Sequence, residues 1–89
     1  MIDGNIQLDL FRAAKEAGES AGFEIIYVVV FDNEIQYTWE RSGRKTLRHQ
    51  FAASINELES AHNPLALIEY MFLRQTRAMR QFRETHEQP

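Results

Sequence analysis

The chain has 89 residues, no cysteine and a net charge of −3 at neutral pH. This length predicts one domain with a small core, the lack of cysteine excludes disulfides and thiolate metal sites, and the acidic balance disfavours nucleic acid as a partner. The longest apolar run, IIYVVVF at 25–31, is too short to cross a membrane, and no basic segment typical of a signal peptide begins the chain. We therefore expect a single cytoplasmic domain over residues 1–89.

The first predicted element is a helix that begins at Asp3 or Asn5. One stripe of apolar residues recurs there at helical spacing: Ile6, Leu10, Ala13, Ala14, Ala17 and Ala21. Gly22 followed by Phe23 predicts its end, because glycine accepts the left-handed conformation and the next apolar residue folds back on the last turn. Gly18 lies inside this helix, where glycine is unfavourable.

Two predicted strands follow, FEIIYVVVF and EIQYTWE, joined by the two-residue turn Asp32-Asn33. This turn pairs Val30 with Ile35 and continues the register toward Tyr37 and Trp39. One face of the hairpin is then apolar.

The length of the second turn decides the register of the third strand. A two-residue loop at 42–43 would direct Leu47 and Phe51 to the polar face, whereas a three-residue loop at 41–43 keeps both on the apolar face. We predict the three-residue loop, which pairs Tyr37 with Leu47.

Two helices complete the predicted fold. Ser54 and Glu57 form a capping-box pattern before a short helix, and Asn63-Pro64 begins a long helix that ends near His86. The fold class is therefore α+β in the order α-β-β-β-α-α, a three-stranded antiparallel meander with the helices packed on one face.

Four arginines recur in the last helix at intervals of three, at positions 74, 77, 80 and 83. An interval of three turns through 300°, so they fan across about half of the helix instead of lining up. We interpret them as a solvent-exposed face, in preference to a phosphate track.

Several large apolar side chains lie outside this predicted core. They are Ile25, Tyr27, Val29 and Phe31 on the outer face of the first strand, and Tyr70 and Leu73 on the last helix. Either the first and second helices cover them within one chain, or they bind another protein chain. We favour the second interpretation, with Arg74 and Arg77 at the rim of a protein-binding surface.

No pattern of catalytic, metal-binding or cofactor-binding residues is present. The three histidines are dispersed, no serine occupies a nucleophile turn, and the glycines form no phosphate-binding loop. His49 is interpreted as a hydrogen-bonded core residue. We expect no enzyme, no cofactor and no metal, and instead a small binding protein, homodimeric or bound to a larger target that it regulates or inhibits. Adaptors, immunity factors and phage-type inhibitors of host proteins are often of this kind.

The alternative is a nucleic-acid-binding protein. The element order is similar to that of the double-stranded RNA-binding domain in topology but not in motif, because the last helix begins with the apolar LALIEYMFL. The basic residues that would form the footprint are Arg44, Lys45 and Arg48 on the second hairpin, with Arg77 and Arg80 on the last helix.

Overall fold

The computed structural model describes the backbone of residues 4–87 and the side chains of residues 8–86. The elements are α1 (Gly4–Ser20), β1 (Ile25–Phe31), β2 (Glu34–Arg41), β3 (Leu47–Ser54), α2 (Ile55–Ser60) and α3 (Pro64–Glu87). The strands form one antiparallel sheet in the order β1-β2-β3, with the helices packed on one face. This confirms the predicted α+β fold and element order. A cap at Asp3 lies outside the described residues.

Side chains and one glycine define the helix ends as predicted. At the end of α1, the N–H of Phe23 donates to the carbonyl of Gly18 at 2.8 Å, and Gly22 has a φ of 85°. This is the Schellman arrangement, in which a left-handed glycine satisfies the last carbonyls. Ser54 accepts from the N–H of Glu57 at the start of α2, and Asn63 accepts from the third residue of α3.

The core lies between the sheet and the helices and centres on two aromatic residues of β2. Tyr37 and Trp39 are both fully buried, and each makes a T-shaped contact with the ring of Phe72 from α3. The indole N–H of Trp39 donates to the carbonyl of Ala14 at 2.8 Å. A Cβ on Gly18 would lie 2.5 Å from Trp39 Cδ1, so the glycine inside α1 makes room for the tryptophan.

The register of the first hairpin is the predicted one. Val30 lies opposite Ile35, and Phe31 lies opposite Glu34 across the turn. Asp32 has a φ of 54°, as a tight hairpin turn requires. The apolar side of β2 therefore faces the helices, and the odd-numbered residues of β1 face away from them.

The predicted register of β3 is wrong by four residues. The loop spans residues 42–46, Arg41 remains in β2 opposite Leu47, and Tyr37 pairs with Phe51 instead of Leu47. Long-range contacts outweigh the shorter turn: Arg48 bonds to Glu40 at 2.6 Å, and Tyr37 stacks on Phe51. A shift of four preserves the alternation of faces, so the predicted face of Leu47 and Phe51 is confirmed.

Candidate protein-binding surface

Strand β1 is a sheet edge made entirely of apolar residues. We define the β1 surface as the five exposed residues of this strand: Ile25, Tyr27, Val29, Val30 and Phe31. Tyr27 is 52% exposed, and Val30, on the side of the sheet that faces the helices, is 64% exposed. Both faces of the strand therefore present apolar side chains to solvent, which is unusual for an edge strand of a monomer.

The hydrogen-bonding groups on the open edge follow from the ladder. The N–H of Ile55 donates to the carbonyl of Asn33 at 2.8 Å, which continues the β2–β3 pairing and shows that odd-numbered residues of β2 bond to β3. Hydrogen-bonded and non-hydrogen-bonded pairs alternate in an antiparallel sheet. The N–H and C=O groups of Ile26, Val28 and Val30 consequently point away from β2, toward the open edge.

An apolar groove of ≈ 210 Å³ lies between α1 and this edge. It is lined by Leu10, Phe11, Val28, Val30, Ile35 and Tyr37. Phe11 is exposed, and Leu8 lies one turn before it on the same side of α1. The apolar surface of the edge strand thus continues onto the first helix.

The apolar residues predicted on α3 form a separate patch. Tyr70 and Leu73 are exposed, as are Arg74 and Arg77. Leu73 borders a shallow groove with Ala13 and other residues of α1, on the side of the helical layer away from the sheet. The structure therefore does not bring Tyr70 and Leu73 together with the outer face of β1.

The interpretation that the helices cover these residues within one chain is wrong. Helix α2 packs on β3 and α3, and α1 lies over the face of the sheet opposite to the outer face of β1. The β1 surface and the α3 patch both remain exposed.

Part of the arginine series has a structural role instead of forming a uniform solvated face. The guanidinium of Arg80 donates twice to the carbonyl of Ser20, at 3.2 and 3.1 Å, and Arg41 donates to the carbonyl of Gly22 at 2.6 Å. Arg83 lies beside Gly22 and is only partly exposed. These cations lie at the negative end of the α1 dipole, which they stabilise.

The residues of the predicted nucleic-acid footprint are divided among several environments. Arg44 and Lys45 are exposed in the loop after β2, whereas Arg48 bonds to Glu40 on the outer face of the sheet. Arg77 is exposed, and Arg80 bonds to α1 as described above.

The two ends of the sheet differ in charge. One end, which we call the basic end, carries five cations beside the terminus of α1, Arg41, Arg44, Lys45, Arg80 and Arg83, and two acids, Glu19 and Glu24. The other, the acidic hairpin end, carries Asp32, Glu34, Glu57 and Glu59, since α2 begins next to the first hairpin turn. Strand β1 runs from the basic end to the acidic hairpin end.

Two polar side chains on the inner face of the sheet, His49 and Tyr37, bear on whether this face has a structural or a catalytic role. The ring of His49 bonds to the side chain of Gln75 at 2.7 Å, which confirms the predicted hydrogen bond, although His49 is only half-buried and lies outside the core cluster. The hydroxyl of Tyr37 is buried with no hydrogen-bond partner among the described residues, and burial raises the pKa of Tyr37 to about 12. A neutral phenol in an apolar core is not an acid–base catalyst near neutral pH.

Within residues 4–87, no cluster of three or more histidine, aspartate or glutamate side chains is placed to hold a metal ion. The helices of this same region include none with the length and apolar character needed to cross a bilayer.

Comparisons with protein-family models, with curated proteins and with solved structures gave no match to this chain.

Sequence reasoning missed three contributors to this surface: Val30, Leu8 and Phe11. The pairing of Val30 with Ile35 predicts that Val30 lies in the core. In the structure α1 does not cover Val30, which remains exposed. A signal for Leu8 and Phe11 was present, because they share one helix side at an interval of three.

Proposed function

We propose that this protein is a non-enzymatic, cytoplasmic protein-binding module that regulates or inhibits another protein by adding β1 to its surface. The observation that supports this most directly is the open edge of β1, where seven consecutive residues are apolar and five side chains are exposed. Such an edge offers main-chain hydrogen bonds for affinity and alternating side chains for specificity, as in other cases of strand addition.

The composition of the β1 surface also supports binding to protein. Tyr27 and Phe31 are large side chains of the kind that dominate the energetics of protein interfaces. They are flanked on β2 by the polar residues Glu34, Gln36 and Thr38. An apolar centre with a polar rim is the usual anatomy of a protein–protein contact.

Two proline variants provide a matched test, because they block the two opposite edges of the same sheet. Val30→Pro removes an N–H that faces the open edge of β1, and Gln50→Pro removes the equivalent outward N–H from β3. Neither N–H takes part in the internal ladder, and both side chains are exposed, so both variants should fold. Circular dichroism checks this.

The variants and the unmodified protein are used as baits in cells that produce it, and the captured proteins are quantified by mass spectrometry. We expect at least one partner protein to be captured by the unmodified bait and by Gln50→Pro but not by Val30→Pro. The same captured set for all three folded baits would reject binding through β1.

A further inference from the structure

We infer that a second copy of this chain occupies the open edge, with the two β1 strands antiparallel and Val28 opposite Val28 of the other copy. The two meanders then form one continuous six-stranded sheet with a twofold axis at Val28. This inference rests on the proposed function, because it concerns the same edge: a second copy covers β1 in the free protein, and a target chain would take its place.

The backbone of β1 is complementary to itself in this register. The outward N–H and C=O groups belong to Ile26, Val28 and Val30, and pairing about Val28 sets Ile26 opposite Val30 of the second copy. Each outward donor then faces an acceptor, and all seven residues of the strand pair. A register centred on Tyr27 sets Val30 opposite Glu24, and one centred on Val29 sets Ile25 and Ile26 opposite Asn33 and Asp32.

The same twofold axis is perpendicular to the sheet, so each face of one copy continues into the same face of the other. On the outer face Tyr27 lies beside Val29 of the second copy, and Ile25 lies beside its Phe31. On the inner face the exposed Val30 becomes part of the sheet interior, and Phe11 of α1 lies over the added strand. The exposed apolar residues of both faces thereby gain apolar neighbours.

The net charges of the two ends of the sheet favour a second copy over an unrelated chain. Because the strands are antiparallel, the basic end of each copy lies beside the acidic hairpin end of the other. The start of β1, near Arg41 and Arg83, meets the turn that carries Asp32 and Glu34. One pair of like charges is also formed, because Glu24 lies opposite Asp32 of the second copy. Arg41 lies beside Glu24 on the neighbouring strand β2. The net attraction between the unlike ends favours the antiparallel orientation, and the Glu24–Asp32 pair opposes it.

Sedimentation velocity over a range of protein concentrations tests the assembly. The unmodified protein and Gln50→Pro should both be dimeric at high micromolar concentration. Val30→Pro should raise the dimer dissociation constant at least about tenfold, because each dimer loses two hydrogen bonds. A monomer at high micromolar concentration, or a dimer that Val30→Pro leaves unchanged, would overturn the inference.

Cysteine cross-linking tests the register independently of the proline variants, and the natural chain has no cysteine to interfere. In the proposed register Tyr27 and Val29 of opposite copies form a non-hydrogen-bonded pair with Cα atoms about 4.5 Å apart, within disulfide range. Tyr27 and Tyr27 of the two copies are diagonal neighbours about 7–8 Å apart, beyond that range.

The expected result is that Tyr27→Cys mixed with Val29→Cys forms a disulfide-linked dimer under mild oxidation, whereas each variant alone does not. A cross-link from either variant alone, or none from the mixture, would overturn the register. The self-pairing and the proposed function can be overturned separately. A monomer that still captures a target through β1 overturns only the self-pairing. Unchanged capture by Val30→Pro overturns the proposed function as well.

Discussion

At the residue scale, Trp39 fixes α1 on the sheet through one hydrogen bond and one close contact. Its indole bonds to Ala14, and its ring occupies the space where Gly18 has no side chain. Gly18→Ala should therefore lower the free energy of unfolding by about 1 kcal/mol, because overpacking costs about 1–3 kcal/mol and outweighs the helix propensity that alanine adds. Urea denaturation measures the change.

Gly43 is the matched control for this substitution. A Cβ there would meet its nearest neighbour, the carbonyl of Lys45, at 3.9 Å. Gly43→Ala should change stability by less than about 0.5 kcal/mol. A stabilised Gly18→Ala, the ordinary result inside a helix, would show that Trp39 is not packed against that position.

The buried phenol of Tyr37 should make the free energy of unfolding depend on pH in the alkaline range. Its ordinary pKa is 10.0, and burial raises the pKa to about 12 in the folded state. Below pH 10 the phenol is protonated in both states, so it adds no pH dependence. Between pH 10 and 12 only the unfolded chain loses the proton, and the free energy of unfolding should fall by about 1.4 kcal/mol per pH unit.

Tyr37→Phe isolates this effect, because it removes the titrating group and the buried hydroxyl together. Denaturation from pH 9 to 12 should show a shallower loss of stability for the variant. At pH 7 the variant should be about 1 kcal/mol more stable, since an unpaired buried hydroxyl is unfavourable. Equal pH dependence of the two proteins would mean that Tyr37 is solvated in the folded state.

At the element scale, the C-terminus of α1 is joined to α3 by Arg80. The guanidinium donates twice to the carbonyl of Ser20, the last residue of α1, whose dipole favours a cation there. Arg80→Ala should lower the free energy of unfolding by about 0.5–1 kcal/mol, discounted for its exposure to solvent. Urea denaturation at low and high salt measures the effect, which should shrink at high salt.

Arg77→Ala is the control, since Arg77 is exposed three residues earlier on the same helix. It should be neutral within about 0.5 kcal/mol. If Arg77→Ala and Arg80→Ala lower the free energy of unfolding by the same amount, Arg80 does not act through the end of α1.

The elements also show how far local signals reach. The register of the first hairpin could be predicted because its two-residue turn fixes the pairing of Phe31 with Glu34. The β2–β3 register could not, because a five-residue loop leaves the choice to contacts such as Arg48 with Glu40. The cap that Arg80 forms was equally inaccessible, since it depends on which helix lies beside α3.

At the scale of the whole molecule, the sequence indicated too many apolar residues for one chain to cover, and the structure leaves the β1 surface exposed. What could not be predicted was that α1 would lie so that Val30 and Phe11 join this surface. It also could not be predicted that Tyr70 and Leu73 would lie on the other side of the molecule.

Tyr27→Asp tests whether this surface serves assembly or folding. Tyr27 is half exposed on the outer face and makes no part of the core cluster. The aspartate should weaken self-association measured by sedimentation, because it sets a charge among apolar side chains of the second copy. The helix content measured by circular dichroism should stay the same. Loss of helix content would instead identify Tyr27 as a residue needed for the fold.

If another copy of the chain covers the open edge of β1, as we infer, amide hydrogen exchange measured by NMR will detect it at single backbone positions. The amides of Ile26, Val28 and Val30 should exchange more slowly as protein concentration rises. The outward amide of Gln50, on the opposite edge of the sheet, should exchange at the same fast rate throughout. Fast exchange at all three β1 amides, independent of concentration, would contradict the account.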